Sequence, residues 1–506
     1  FGHRYIAPQL GAGTPNLTHN GFQVTNAAGN LVDLAGNQIN GAFLTNHPGF
    51  PGFGDISPAQ TLGYTADMLE SGVPVVYGYI SDLHGNHGLP GTPACDNAPD
   101  ALPGGTLCYI EQAQAYNQQF GIFFKRLAAD GITPKNSLFI FTSDEGDHMV
   151  GANVGRFVQP TPAGCDGAKV SGVNVTPDVI CNYPAGTFGE LGGNITGLLA
   201  TQKNDTTSFS VDADSSPYLY VKGQPGPNDP AVRQLEHDVA GLTSANPYTG
   251  TTQPITNYLA DPTEMAILHM VSADPARTPT LTMFAKPDYF LSSGAANCSR
   301  PCVTQNTGFA YDHGDYAAEI NTNWLGLIGP GVKTLGLDGT AAADGPSSAG
   351  PNSGQVTVPD SNTTGPWVDE TDVRPTTMYL VGLQDDYEHD GRVITQILTR
   401  PNDALSADGV TELGACYKQL NSSVGQFGTS TLQAATAAIE STSPGDATYT
   451  RVDNELRSLN VARDRLAGVI KGELEAAAFG DRQVQLAGQQ IEACESLINA
   501  AHNLAT

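Results

Sequence analysis

The sequence predicts an α/β protein: a largely parallel central sheet flanked by helices, followed by a C-terminal helical hairpin or small bundle. Three observations carry this. Helix-like and strand-like segments alternate along residues 57–143 and again along 261–383, the order that gives a parallel sheet. The runs "VPVVYGYI" (73–80) and "SLFIFTS" (137–143) are short, apolar and rich in β-branched or aromatic residues, as strands covered on both faces are. From about residue 430 the chain turns to helix formers with a helical period.

Residues 1–56 are rich in Gly, Asn and Pro and read as a loop-rich N-terminal segment. "SPAQTLGYTADMLESG" (57–72) reads as a helix, with Ser57 as N-cap, Pro58 at its first position and Gly72 just past its end. The strand 73–80 follows, then the amphipathic helix "EQAQAYNQQFGIFFKRLAADG" (111–131) closing on Gly131, then the strand 137–143. Residues 150–260 are polar and turn-rich, the expectation for an insertion over the sheet. "DPTEMAILHMVSAD" (261–274) reads as a helix, "TPTLTMFA" (278–285) and "NWLGLIGPGV" (323–332) as strands, and "DVRPTTMYLVGL" (372–383) as a helix opened by Asp372. A low-complexity insertion occupies 335–366. The expected division is therefore an α/β domain over 57–415 and a helical region over 416–506.

The chain has 506 residues, with 51 acidic against 23 basic side chains and a formal charge of −28. Such a surface repels phosphate backbones, which argues against nucleic-acid binding through a basic face. No apolar run approaches the roughly 20 residues of a membrane span. Eight cysteines without a C-x-x-C pair point to disulfides and an oxidising compartment, hence a secreted, periplasmic or cell-surface protein. Pairing sequence neighbours gives Cys95–Cys108, Cys165–Cys181, Cys298–Cys302 and Cys416–Cys494. N-x-S/T sequons stand at Asn16, Asn194, Asn204, Asn297, Asn362 and Asn421.

Ligands of open parallel sheets gather beyond the carboxyl ends of the strands. Asp82 follows the first predicted strand and Asp144 the second, and each has histidine close behind: His84 and His87 in "SDLHGNH", His148 in "TSDEGDH". A third group, "YDHGD", places Asp312, His313 and Asp315 before the strand 323–332. Carboxylate with imidazole on several loops suits zinc, manganese or iron better than calcium. His269, on an apolar helix face, reads as a core histidine, and the acidic "QDDYEHDG" (384–391) as a solvated turn. A G-x-S-x-G elbow is absent, which disfavours a serine α/β-hydrolase.

"YGYISDLHGNHG", "FIFTSDEGDH", "YDHGD…NWLGLIGPGV" and "DETDVRPTTMYLVGLQDDYEHDGRV" together resemble the alkaline phosphatase superfamily, which includes nucleotide pyrophosphatases and sulfatases. The resemblance spans residues 57–395 and leaves the helical region out. It implies an alkaline phosphatase-like fold with two divalent metal ions about 4 Å apart, zinc first and manganese, iron or calcium as alternatives. One ion would take Asp82, His87 (with His84 as the alternative) and His313; the other would take Asp144, Glu145 and their neighbours, with His148 as a further ligand or a supporting partner. Two positions depart from the family pattern: its D-x-x-x-H spacing lands on Asn86, and Glu145 stands where the family has histidine.

The implied activity is that of an exported phosphoesterase, a phosphatase or phosphodiesterase, acting on a small phosphate ester. The alternatives are a non-catalytic extracellular binding or structural protein that keeps the fold, and a sulfatase or phosphonate hydrolase. The family's nucleophile is a Ser, Thr or modified Cys at a helix start. Thr14 in "GTPNLTH" is the nearest match here, but no strand ending in Asp precedes it. The expectation is therefore a nucleophile upstream of Phe1, with the chain's own cleaved N-terminal segment as a partner. Arg156 and Lys286 read first as surface salt-bridging residues, with substrate holding as the alternative.

Overall fold

The computed structural model describes residues 13–40, 49, 56–89, 91–98, 102, 106–151, 165–168, 180–181, 189–307, 309, 311–317, 320–321, 323–334, 368–384, 387–407, 409–480, 482–485 and 487–506. The chain forms two compact units. The first holds Phe1–Phe139, Thr161–Gly189 and Thr307–Tyr311; the second holds Ile140–Pro160, Glu190–Asn306 and Asp312–Thr506.

In the first unit two helices dominate, α1 (Pro58–Glu70) and α2 (Leu107–Ala129). Pro58 opens α1, since a missing N–H costs nothing in the first turn. The Thr106 side chain accepts from the Tyr109 amide to cap α2. The helices are bolted together by Arg126 and Glu70, a two-pronged pair at 2.7 and 2.8 Å with both side chains buried. Tyr64 of α1 packs on Val24, Leu31 and Ile39. Cys95–Cys108 staples the preceding loop to the start of α2. The ribbon Cys165–Ala168 with Ile180–Cys181 sets Cys165 opposite Cys181, whose side chains lie outside the described residues.

The run 73–80 departs from the expected buried strand. It forms no strand, and Val75, Tyr77 and Tyr79 are 68, 95 and 47 % exposed. β-branched and aromatic composition marks a segment that fits a sheet, but the partner strand must supply the ladder.

The second unit contains α3 (Pro230–Ala240), α4 (Pro262–Ile267), α5 (Val373–Leu380), α6 (Val410–Asn421), α7 (Gln426–Glu440), α8 (Ala447–Gly480) and α9 (Ala487–Ala505). Its sheets are small. One runs Thr256–Ala260, Leu281–Ala285, Tyr218–Val221, Phe209–Asp212, with every neighbour antiparallel. In a three-stranded sheet, Glu190–Asn194 lies between Tyr289–Ser292, to which it is parallel, and Val303–Asn306, to which it is antiparallel; further sheets have two strands. The architecture is thus mixed α and β with a C-terminal helical region, and the large parallel sheet expected from the alternation is not formed by the described residues.

The reason is visible in the stretch expected as an insertion. From Glu190 on it supplies strands and α3, and Leu191, Leu198, Leu219, Leu235 and Val239 are buried in the main core. Its glycines, asparagines and short strands hide the apolar period that marks core segments. The C-terminal helices join the same core through Leu420, Phe427, Leu456, Ile470 and Ile498. Disulfides Cys298–Cys302 and Cys416–Cys494 belong to this unit, the second tying α6 to α9. No helix among the described residues is long and apolar enough to cross a membrane.

Candidate functional site

The chemistry-bearing loops fall into two clusters, one in each unit. In the first unit, α2 organises the loop after residue 80. The Gln112 amide donates to the carbonyls of Leu83 (3.1 Å) and Gly85 (2.7 Å), and its oxygen accepts the His87 amide (3.2 Å). One turn on, the Tyr116 hydroxyl reaches the carbonyls of Ser81 and Asp82, both at 2.9 Å. Within the loop, Asp82 Oδ1 accepts the Gly85 amide (2.8 Å) and lies 3.4 Å from His84 Nε2 and 3.8 Å from His87 Nε2. His87 Nε2 is nearer the Asp82 carbonyl, at 2.7 Å, which only accepts and so assigns the proton to that nitrogen. The His84 ring stacks on Tyr311 with centroids 5.1 Å apart. Asn86, at the family's histidine position, instead donates to the carbonyls of Cys95 and Ala98. Gln112 and Tyr116 escaped the sequence reading. Their signal is positional: an amide and a phenol one helical turn apart on the buried face of an amphipathic helix need partners.

In the second unit, the strand Phe139–Thr142 leads into the loop of Asp144, Glu145, Asp147 and His148. The loop is pinned by the Gly146 amide on the Ile320 carbonyl (2.8 Å) and by Asn323 on the Ser143 carbonyl (2.8 Å). His313 reaches it from "YDHGD": its Nδ1 is 3.1 Å from Asp147 Oδ1 and its Nε2 3.7 Å from Glu145 Oε1. Gly314 makes this approach practicable. It has φ +85°, and a Cβ there would collide with the Asp214 carboxylate. Asp312, next to His313, is 2 % exposed; its Oδ1 accepts from the Ser215 hydroxyl and its Oδ2 has no hydrogen-bond partner.

Within the second unit Glu145 and His313 come together, and within the first Asp82, His84 and His87 do. Asp144 is exposed and accepts the Glu145 amide. His148 turns away, buried with Nε2 3.1 Å from Asp288 Oδ1. Asp288, at φ +86°, also accepts the amides of Gly151 (2.6 Å) and Asn246 (2.8 Å), so His148 and Asp288 clamp the loop. Asp147, Asp214 and Asp288 were not singled out in the sequence. Asp147 lay in view inside "TSDEGDH"; the other two stand in unremarkable contexts far along the chain.

Charge is unbalanced around His313. Burial raises the Glu145 carboxyl, and Asp144, Asp147 and Asp214 push it the same way against the pull of His313. Burial raises Asp214 and Glu190 as well. Burial takes Asp312 up to about 7. His313 is raised to about 9, first by its hydrogen bond to Asp147 and then by Glu145 and Asp147 as charges. The donor types, hard carboxylates with one imidazole, suit a divalent cation, and a buried carboxylate oxygen without a partner is one that a cation would satisfy. Even so, among the described residues no group of three His, Cys, Asp or Glu side chains is drawn close enough to hold a metal ion as it stands.

Thr14 does not sit at a helix start. It is exposed on a loop, and its carbonyl accepts from the Thr25 hydroxyl. Arg156 lies outside the described residues, and Lys286 acts on Glu440. His269 lies just past α4, its Nε2 2.9 Å from the Asn421 carbonyl and 3.2 Å from Arg463. No protein-family model, no curated protein and no solved structure matches the chain.

Proposed function

We propose that the chain is an exported metal-dependent phosphoesterase acting on a small phosphate ester. Asp144, Glu145 and His313 would hold a cation in the second unit, and Asp82, His84 and His87 one in the first. The carrying observation is the surplus of acid around His313: a single imidazole faces Glu145 and Asp147, with Asp214 and Asp312 beside them. A chain of charge −28 has little other means of attracting an anionic ester. When bound, the divalent ions, zinc first, would polarise a phosphoryl oxygen and acidify the attacking hydroxyl.

The protein's own residues prepare that chemistry. Asp147 fixes the His313 ring through Nδ1 and leaves Nε2 toward Glu145. Asp288 and His148 hold the acidic loop from behind. Gln112 and Tyr116 fix the backbone from which Asp82, His84 and His87 project. A second reading, a metal-binding protein without turnover, is favoured by one observation: Thr14, the nearest match to a nucleophile, is on an exposed loop and not at a helix start.

The test is metal analysis of protein purified without chelator, together with hydrolysis of p-nitrophenyl phosphate and bis-p-nitrophenyl phosphate with and without EDTA. The expected result is bound transition metal and EDTA-sensitive turnover of one ester, both lost in His313→Ala. Bound metal without turnover of either ester favours the second reading; no bound metal sinks both.

A further inference from the structure

The second unit contains a cleft of about 330 Å³ between α5, the turn that follows it and the C-terminal half of α8. Small-molecule sites occupy roughly 300–1,000 Å³, so the space is sufficient for a compact ligand. Met378, Tyr387 and Phe479 form apolar walls. The Tyr387 ring is braced by the Arg374 guanidinium 4.6 Å from its centroid.

The floor is the α8 backbone itself. Gly468 and Gly472 stand one turn apart inside a helix of 34 residues, and a Cβ at either would meet nothing within 4 Å. Glycine weakens a helix interior relative to alanine, and here none of the described residues uses the room it leaves. That room opens into the cleft.

Both signs of charge line the opening. Glu475 Oε1 is 3.7 Å from Lys471 Nζ and 4.0 Å from His389 Nε2. Both are ion-pair distances longer than a hydrogen bond, so the pairing at the mouth is loose and its groups retain hydrogen-bonding capacity. His389 Nδ1 is 3.1 Å from the Gly391 carbonyl, which assigns the proton to Nδ1 and leaves Nε2 of the neutral ring as an acceptor.

We propose that this cleft binds a small amphipathic zwitterion, an α-amino acid with an aromatic side chain. Its ammonium sits between the Glu475 carboxylate and His389 Nε2, its carboxylate on Lys471, and its ring on the glycine floor between Met378, Tyr387 and Phe479. This site is separate from the acidic cluster around His313 and does not depend on hydrolase activity.

The experiment is isothermal titration of L-phenylalanine into the full chain at pH 7.5. Saturable binding is expected. Phenethylamine and 3-phenylpropanoate should each bind at least about tenfold more weakly, because each leaves a charged group of the cleft unanswered. Gly472→Leu fills the floor at a position where a side chain meets no neighbour, and should abolish binding while the helical circular dichroism and melting temperature hold. Lys471→Met should weaken L-phenylalanine but not phenethylamine. The proposal is overturned by no saturable binding up to about 10 mM, by unchanged affinity in Gly472→Leu, or by 3-phenylpropanoate matching L-phenylalanine.

Discussion

The second unit crowds carboxylates in two places, and it treats them differently. Around α3, α4 and α8, Glu236, Asp261 and Glu264 are 0, 2 and 0 % exposed. Each has an answer within the chain. Arg233 pairs with Glu236 and lies over the Tyr449 ring. The Tyr449 hydroxyl donates to Asp261 Oδ2 (2.7 Å), and Asp261 Oδ1 caps α4. Thr431 donates to Glu264 Oε1 (2.9 Å), and the Arg463 charge acts on Glu264. Around His313, the acids Glu145, Asp147, Asp214 and Asp312 face that imidazole, with His148 also acting on Asp312, and the Asp312 Oδ2 is left without a partner. The first crowd also leaves Glu236 Oε1 and Glu264 Oε2 without a hydrogen-bond partner, but two buried arginines, Arg233 and Arg463, act on it, and so it is part of the fold. In the second, no arginine or lysine among the described residues is a leading charge on Glu145, Asp214 or Asp312, a charge surplus that a cation from outside can fill.

The largest expected effect breaks the compensated crowd. Arg463 is 1 % exposed, and its guanidinium serves the Ile267 carbonyl, Asn460 and Asp464. Arg463→Met should cost about 3–5 kcal/mol in urea unfolding, with or without divalent cation. The uncompensated crowd should behave oppositely. Zinc or manganese at about 100 times its dissociation constant should stabilise the wild type by roughly 2.7 kcal/mol, and Glu145→Gln or His313→Ala should erase that gain while changing metal-free stability less.

A finer test is pH. Burial lifts Glu236 from 4.5 to about 8 in the folded chain despite Arg233. A raised carboxyl contributes stability that is full below its unfolded value and lost as pH rises through the folded one. Stability should therefore fall from about pH 4.5 to 8, and Glu236→Gln should flatten that slope by up to about 1.4 kcal/mol per pH unit, read from urea midpoints across the range. The smallest effect is at the surface: Arg451 and Glu455 are 59 and 49 % exposed, and Arg451→Ala should cost no more than about 0.5 kcal/mol.

Sequence reasoning reached what local physics encodes. The two helices of the first unit were readable from Ser57, Pro58 and Gly131, and the C-terminal helices from their composition; Cys95–Cys108, Cys298–Cys302 and Cys416–Cys494 follow simple neighbour pairing. It overreached where a segment needs a partner. Residues 73–80 have strand composition but no ladder, and 190–260 have a core role but no visible period. At the candidate site, the loops of Asp82, Asp144 and His313 were legible because acids and histidines cluster within a few residues. Gln112, Tyr116, Asp214 and Asp288 were not, because each meets its loop across 24 or more residues of intervening chain and bears no local mark.

The bridge from Cys416 to Cys494 spans 78 residues of sequence, and the link between α7 and α8 lies inside that span. Closing so long a loop withholds about 4–5 kcal/mol of freedom from the denatured chain. It also means that a protease cut between Glu440 and Ala447 severs the polypeptide without releasing either piece: the nicked protein should run as a single species on a gel until a thiol is added, and then as two.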